Sequence, residues 1–224
     1  MLAPLCAAAP AWAQMGLSAA FQTDYIYRGR SLTQGRPALT VAASYDHESG
    51  LYAGGSVTAQ NIAGEEGAEI INRVVYAGYV VQPKAGPAMD LGVTSNRTVS
   101  YRNGRRAFDY EEVYAGVLSD HLSFHLHYSP DYYESGIHTV YADLGAVIRP
   151  TEETRLFAHA GALTGVGGRR GPGARKTRYD FSLGAARRFD NLELSLTWTR
   201  MAPALRFGGQ RERDALVAGV AFFF

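Results

Sequence analysis

The chain has 224 residues, with 22 lysines and arginines against 21 aspartates and glutamates and a formal net charge of +1. This balance argues against a nucleic-acid-binding protein, which would carry a basic excess. The single cysteine, Cys6, excludes an internal disulfide bond and a multi-cysteine metal site. Hydrophobic residues make up 46% of the chain, yet no window has the 18 or more apolar residues that a spanning helix needs.

The first 13 residues form an apolar run that ends in Ala11-Trp12-Ala13, the small-x-small pattern of a secretory cleavage site. We therefore expect residues 1–13 to be a signal peptide. Its start has no Lys or Arg, so the signal is either atypical or truncated, and the alternative is an ordered apolar N-terminus. Residues 14–224 are expected to form a single domain.

Period-2 alternation of apolar and polar residues recurs through the mature chain, with turn residues between the runs. In the clearest run, Leu194, Leu196 and Trp198 alternate with Ser195 and Thr197. We expect the apolar face to meet lipid and the polar face to line a wet lumen. The pattern predicts twelve strands, an even number as an up-and-down bacterial barrel requires. The predicted strands cover residues 17–28, 36–46, 51–60, 69–81, 88–101, 107–118, 121–129, 137–149, 155–163, 177–188, 191–201 and 213–224.

The predicted connections alternate in length, which favours a membrane barrel over a soluble β-sandwich. Outer-membrane barrels have short periplasmic turns and longer extracellular loops, whereas a sandwich has no reason to alternate. The short connections are 47–50, 82–87, 119–120, 150–154 and 189–190. The longer ones are 29–35, 61–68, 130–136, 164–176 and 202–212, and 102–106 is an exception to the rule.

The chain ends in an uncharged, β-prone segment, residues 215–224, with Phe224 as the last residue. Such an edge would template aggregation unless another strand covered it, and a closed barrel has no edges. We therefore predict an all-β fold: a closed, up-and-down, antiparallel transmembrane β-barrel of about 12 strands in the outer membrane of a Gram-negative bacterium. The terminal aromatic resembles the signal that the barrel-assembly machinery recognises, so this machinery and outer-membrane lipid are expected partners.

Alternation also predicts which charged side chains face the lumen. An Arg or Lys facing lipid near the midplane would cost about 2–4 kcal/mol, so such residues are expected to turn inward. They form either a selectivity ladder for solutes or salt bridges that only hold the wall together. Since about 8 strands are filled by side chains and roughly 16–18 leave an open channel, the lumen should be narrow and partly obstructed. The candidates are Asp24, Arg28, Asp46, Asp90, Glu112, Asp143, Arg178, Asp180, Arg188 and Glu193.

Two further sets of residues are expected at the boundaries of the membrane. Basic residues at the extracellular rim would bind lipopolysaccharide phosphates, or they are ordinary solvated loop charges. These are Arg105, Arg106, Arg169, Arg170, Arg175 and Lys176. Aromatic residues near strand ends would form interfacial girdles. These are Tyr25, Tyr27, Tyr45, Tyr79, Tyr101, Tyr128, Tyr179 and Trp198.

Four segments carry a resemblance to a known family. The segment TDYIYRGRSLTQGRPAL at 23–39 and the segment YDHESGLYAG at 45–54 resemble a proteobacterial family of porin-like proteins labelled TorF-like, or Gcw_chp proteins of unknown function. The segments DYEEVYAG at 109–116 and YSPDY at 128–132 resemble its middle motifs. The resemblance extends over the mature chain, implies an outer-membrane barrel and suggests a porin.

These patterns favour a narrow passive channel for small hydrophilic solutes or ions. The alternative is a closed barrel with a structural or interaction role and no transport. Neither catalytic residues nor a cofactor are expected, because the chain has no Gly-x-Ser-x-Gly elbow and its glycine-rich segment 165–176 lacks the ending of a phosphate-binding loop. His125 and His127 lie about 7 Å apart on one strand face. Without a third ligand they are only weak candidates for a metal site.

Overall fold

A computed structural model of the protein describes residues 14–61, 67–100, 106–133, 136–168, 177–202 and 213–224. Within these ranges, no helix is long and apolar enough to cross a membrane. The signal peptide predicted for residues 1–13 lies outside the described residues.

The described residues form a closed antiparallel β-barrel of twelve strands, as predicted. Neighbours in sequence pair around the ring, and the last strand pairs with the first. The barrel strands are β1 (Gln14–Gln22), β4 (Ala38–Asp46), β5 (Leu51–Asn61), β6 (Ala68–Val81), β7 (Ala88–Ser100), β8 (Arg106–Leu118), β9 (Leu122–Ser129), β10 (Ile137–Ile148), β11 (Thr154–Gly168), β12 (Arg178–Phe189), β13 (Leu192–Ala202) and β14 (Arg213–Phe223). Two short strands, β2 (Ile26–Tyr27) and β3 (Arg30–Ser31), form a separate sheet.

The alternation of the sequence appears directly as an apolar outside and a polar inside. On β13, Leu194, Leu196 and Trp198 are exposed on the outer surface, whereas Thr199 faces inward and is buried. Charged pairs on the outer surface, such as Arg97 with Asp109, lie beyond the apolar belt near one end of the barrel. This placement is favourable, because an uncompensated charge that faces hydrocarbon is costly.

The wall is thickened from inside by aromatic rings that lie over glycines. A Cβ atom on Gly92 would collide with the ring of Tyr114, and one on Gly161 would collide with the hydroxyl end of Tyr141. Glycine at these lumen-facing positions lets the neighbouring ring lie flat against the backbone. This close approach is one reason for a barrel rich in both residue types.

The short connections lie at one end of the barrel, which we call the turn end, together with Phe224. We call the opposite end the loop end. Where the structure describes the connections, the five predicted short turns join β4 to β5, β6 to β7, β8 to β9, β10 to β11 and β12 to β13. This is the alternation that the sequence predicted.

The prediction for the first strand is wrong beyond Gln22. A strand over residues 17–28 was expected, but β1 ends at Gln22, and residues 24–35 form a compact hairpin, which we call the inner hairpin. Its two arms are held by Asp24, whose carboxylate accepts hydrogen bonds from Ser31 Oγ and Thr33 Oγ1, both at 2.6 Å. The segment 29–35, expected to be an extracellular loop, belongs to this hairpin.

Closure of the barrel depends on the last three residues, which generates a first prediction. The β1–β14 seam has five paired positions, and Phe222 and Phe223 supply two of them. The amide of Phe224 also donates to the Leu17 carbonyl at 2.9 Å. Deleting residues 222–224 should leave the seam too short to close. We expect protein refolded in detergent micelles to lose the heat-modifiable gel migration of a folded barrel.

A matched control is the double substitution of Phe222 and Phe224 by leucine, which keeps the backbone hydrogen bonds and should retain the gel shift. Refolding without cellular factors separates barrel closure from recognition by the assembly machinery. Normal heat-modifiable migration of the truncated chain would show that the seam tolerates the loss.

Candidate functional site

The inner hairpin lies inside the barrel, because its side chains bond to inward-facing residues of the wall. Its anchors come from strands β5 to β8, and the donor–acceptor distances are 3.0 to 3.4 Å. They are Gln60 Nε2 to the Thr33 carbonyl, Asn72 Nδ2 to Tyr25 Oη, Tyr27 Oη to Asn96 Oδ1, and Tyr110 Oη to Tyr27 Oη. Thr33 is completely buried. The hairpin therefore obstructs the lumen, as the strand number predicted.

A two-pronged ion pair joins the tip of the hairpin to the wall. Arg28 Nη1 and Nη2 donate to Glu112 Oε1 and Oε2 on β8 at 2.7 and 2.6 Å. The side chains are only 7% and 1% exposed. This parallel geometry is the strongest pairing between a guanidinium and a carboxylate. Loss of either partner would leave the other as a buried charge without compensation.

Aromatic rings surround the same guanidinium. Arg28 Cζ lies 4.1 Å from the ring centroid of Tyr141 on β10 and 5.8 Å from that of Tyr132, which lies in the connection between β9 and β10. The ring of Tyr27, on the hairpin itself, is 5.3 Å away. Faces of aromatic rings attract cations at these distances. Arg28 is thus held by one carboxylate and three rings.

The backbone at this tip has an uncommon conformation. Arg28 and Gly29 both have positive φ, 47° and 69°. A two-residue hairpin turn of type I′ requires positive φ at both positions, and Asn-Gly is its usual sequence. Arginine is uncommon there, so the ion pair and the ring contacts compensate for a conformation that the residue itself does not favour.

Two similar clusters of carboxylate, tyrosine and histidine flank this ion pair. In the first, Asp90 on β7 accepts a hydrogen bond from Tyr52 Oη at 2.6 Å and contacts His125 Nε2 at 3.0 Å. Tyr52 is also hydrogen-bonded to Tyr114. In the second, Asp180 on β12 contacts His159 Nε2 at 2.9 Å and accepts from Tyr141 Oη at 3.3 Å.

The second cluster extends to another carboxylate, since His159 Nδ1 lies 3.7 Å from Asp143 Oδ1. Tyr141 therefore connects this cluster to the guanidinium of Arg28. Among the described residues, the ion pairs of Asp90, Asp143 and Asp180 are all with histidine, and none is with lysine or arginine. The middle of the lumen is consequently rich in carboxylates that lack a permanent cation.

The two histidines considered as metal ligands take part in these contacts instead. His125 bonds to Asp90, and His127 Nδ1 lies 3.8 Å from Glu112 Oε2. Their rings are 6.0 Å apart. In the part of the chain that the structure describes, no group of three or more His, Cys, Asp or Glu side chains is arranged to hold a metal ion.

The remaining lumen candidates lie toward the two ends of the barrel. Near the turn end, Glu193 accepts two hydrogen bonds from Arg155 at 2.6 and 3.0 Å. In the same region, the guanidinium of Arg188 lies over the ring of Phe223, at 4.6 Å from its centroid. Asp46 is exposed and is the register partner of the inward-facing Tyr52. Near the loop end, the Nε atom of Arg178 is buried and has no hydrogen-bond partner among the described residues.

Other expectations are corrected or lie outside the described residues. Arg28 is not at the outer end of strand one but at the tip of the inner hairpin, and Asp24 caps that hairpin. Tyr25 and Tyr27 bond to the lumen wall, so their assignment to a girdle is wrong. Tyr45, Tyr79, Tyr128, Tyr179 and Trp198 are exposed on the outer surface as predicted. Tyr101 and the side chains of the predicted rim residues, Arg105, Arg106, Arg169, Arg170, Arg175 and Lys176, lie outside the described set.

Several residues of the site were not among the sequence candidates. They are Tyr52, Tyr110, Tyr114, Tyr132, Tyr141, Arg155 and His159. Alternation places Tyr141 on the polar face with Asp143, and the same rule would have found Tyr52 and Arg155. Tyr132 lies outside a strand, so no periodic signal marks it.

The Gcw_chp family model, described as a bacterial protein of unknown function, matches residues 7–223. No curated protein matches the chain. Among solved structures, the NanC porin is 10% identical with a TM-score of 0.58 over 93% of this chain and 99% of that one. The KdgM porin is 11% identical with a TM-score of 0.57 over 92% and 98%. The COG4313 outer membrane channel from Pseudomonas putida F1 is 14% identical with a TM-score of 0.56 over all of both chains.

The buried ion pair generates a second prediction. Glu112→Gln removes the charge that compensates Arg28, and we expect the folded barrel to lose about 3–5 kcal/mol of stability. The measurement is urea unfolding in detergent micelles, followed by the heat-modifiable gel shift. Glu111→Gln is the matched control, because the neighbouring side chain is exposed on the outer face. The control should change stability by less than about 0.5 kcal/mol. Equal stability of the two variants would contradict a structural role for the pair.

Proposed function

We propose that this chain, which belongs to the Gcw_chp family, is a narrow outer-membrane channel for the passive passage of small hydrophilic solutes or ions. One observation carries the proposal. Ionisable side chains from most of the wall strands face the interior of an apolar-sided barrel, and many of them are partly accessible. Arg155, Asp143 and His159 have side-chain exposures of 29, 26 and 21%. A barrel that served only as a wall would not need a lumen lined with hydrated charges.

The structural neighbours support this proposal through their fold. Two of them are porins and a third is an outer membrane channel. Their shared architecture is consistent with the turn end facing the periplasm and the loop end facing outward. One of these neighbours, the KdgM porin, has also been solved in complex with disordered oligogalacturonate.

We propose that this chain favours cations over anions. Asp90, Asp143 and Asp180 have histidine but no arginine as ion-pair partners in the described structure, and Arg28 is compensated by Glu112. The electrostatic potential of the narrow lumen is therefore negative, and low-dielectric walls focus it along the solute path. Anionic solutes would be repelled from the middle of the channel.

The inner hairpin is proposed to be the constriction, which a shortened chain can test. Gln22 and Ala38 are direct cross-strand partners, so a two-residue Asn-Gly turn can join them in place of residues 23–37. We expect this variant to show a several-fold larger single-channel conductance in planar bilayers than the wild type. The heat-modifiable gel shift checks that the barrel still forms. An unchanged conductance in a folded variant would mean that the hairpin does not limit the path.

Arg28 is proposed to offset the negative potential of the lumen. Arg28→Asn suits the positive-φ turn but leaves the charge of Glu112 uncompensated. The reversal potential in a KCl gradient should then shift toward that of K⁺. Arg97→Asn is the control, because Arg97 is exposed on the outer surface and should not affect permeation.

An identical reversal potential for wild type and Arg28→Asn, with folding intact, would show that Arg28 is only a structural strut. The absence of any current from the wild type and from the hairpin-deleted chain would favour the alternative function, a closed structural barrel.

A further inference from the structure

We propose that Glu112, Tyr132 and Tyr141 form a receptor for cationic organic solutes, and that Arg28 occupies this receptor as an internal ligand until a guanidinium or alkylammonium group displaces it. The proposal deepens the channel function above, and its solute class rests on that function. The three residues belong to β8, to the connection between β9 and β10, and to β10. None of them belongs to the inner hairpin that supplies Arg28.

The chemistry of the receptor matches a cation with an extended apolar or planar body. Glu112 presents both carboxylate oxygens to the Arg28 nitrogens, and the ring of Tyr141 lies 4.1 Å from Arg28 Cζ. Tyr132 covers the guanidinium from another side at 5.8 Å. A carboxylate combined with several ring faces is the arrangement by which proteins bind guanidinium and quaternary ammonium groups. His127 Nδ1 also lies 3.8 Å from the same carboxylate.

The internal ligand is carried on an element that can separate from the wall. The described backbone-to-backbone hydrogen bonds of this segment run from the Leu32 amide to the Tyr25 carbonyl and from the Arg36 amide to the Thr33 carbonyl, and neither involves the wall. The contacts with the wall are instead made through side chains such as Gln60 and Asn72. Arg28 also has a positive φ, a conformation that arginine itself does not favour. Displacement therefore breaks no strand pairing of the barrel.

Charge compensation makes the displacement selective. Withdrawal of Arg28 alone would leave Glu112 buried and unpaired, which is strongly unfavourable. A solute that brings its own cation restores the pairing as Arg28 leaves, whereas a neutral or anionic solute cannot. The receptor therefore selects cationic solutes, because only a cation can replace Arg28 as the partner of Glu112.

The test uses a variant in which the receptor is vacant. Arg28→Asn retains the turn and removes the guanidinium. Guanidinium chloride and tetramethylammonium chloride, at millimolar concentrations and against matched NaCl, are titrated into wild type, Arg28→Asn and the double variant Arg28→Asn with Glu112→Gln. Thermal unfolding in detergent measures binding, and single-channel current in planar bilayers measures occupancy of the path.

We expect guanidinium to raise the unfolding temperature of Arg28→Asn and to block its current at concentrations at least about tenfold lower than in the wild type, where the occupant must first leave. The double variant should lose this response. If Arg28→Asn does not fold, the same titrations are made on Arg28→Lys. A lysine ammonium cannot donate to both oxygens of Glu112 in the way that a guanidinium does, so it should be displaced more readily than arginine. Equal sensitivity of all folded variants to guanidinium would overturn the receptor.

The two readouts separate this inference from the channel itself. Thermal stabilisation of Arg28→Asn without current in any variant would support the receptor and refute the channel. Current without stabilisation or block in Arg28→Asn would support the channel and refute the receptor.

Discussion

The structure depends on one constraint: a strand in hydrocarbon has no water to satisfy its backbone, so each polar group must pair within the sheet and the sheet must close. Closure through β14 and β1 satisfies this constraint. Once the sheet is closed, alternate side chains point to opposite environments, lipid outside and lumen inside. Ionisable residues on the lumen face of the wall strands are thereby collected into a small interior volume. There they must find partners, as Arg155 does with Glu193.

The second consequence of closure concerns space. Twelve strands enclose more volume than inward side chains fill, and this chain occupies it in two ways. Tyr114 and Tyr141 lie flat over glycines of the wall, and the inner hairpin enters from the loop end. The first device belongs to the wall and is fixed by backbone geometry. The second, the inner hairpin, is held by side-chain hydrogen bonds and an ion pair. Its position therefore depends on these side chains, whereas the wall is held by backbone pairing.

The sequence was sufficient for the barrel strands because lipid imposes a strict period on the outer face, as Leu194, Leu196 and Trp198 show. It also placed Glu112 and Asp180 on the lumen face, where the structure finds them buried. The inner hairpin could not be predicted in this way. Its arms are extended, so they continue the period of β1, and its turn has Arg28 where asparagine would be the recognisable signal. The positions of the tyrosines could not be predicted from residue type either, because tyrosine suits both an interfacial girdle and the lumen. The contact of Tyr52 with Asp90 joins residues 38 positions apart in the sequence, and one sequence alone does not reveal such pairs.

The tip of the hairpin balances a local cost against a distant gain. A left-handed conformation costs a residue such as arginine about 1–2 kcal/mol, whereas loss of one partner from a buried ion pair costs about 3–5 kcal/mol. The turn at Arg28 is therefore stabilised by Glu112, which lies 84 residues away in sequence and on a different element. The second quantity is larger, so the ion pair with Glu112 is sufficient to hold Arg28 in this conformation. In the receptor that we propose, the position of the inner hairpin therefore depends on which cation Glu112 binds, whereas the pairing of the wall strands does not.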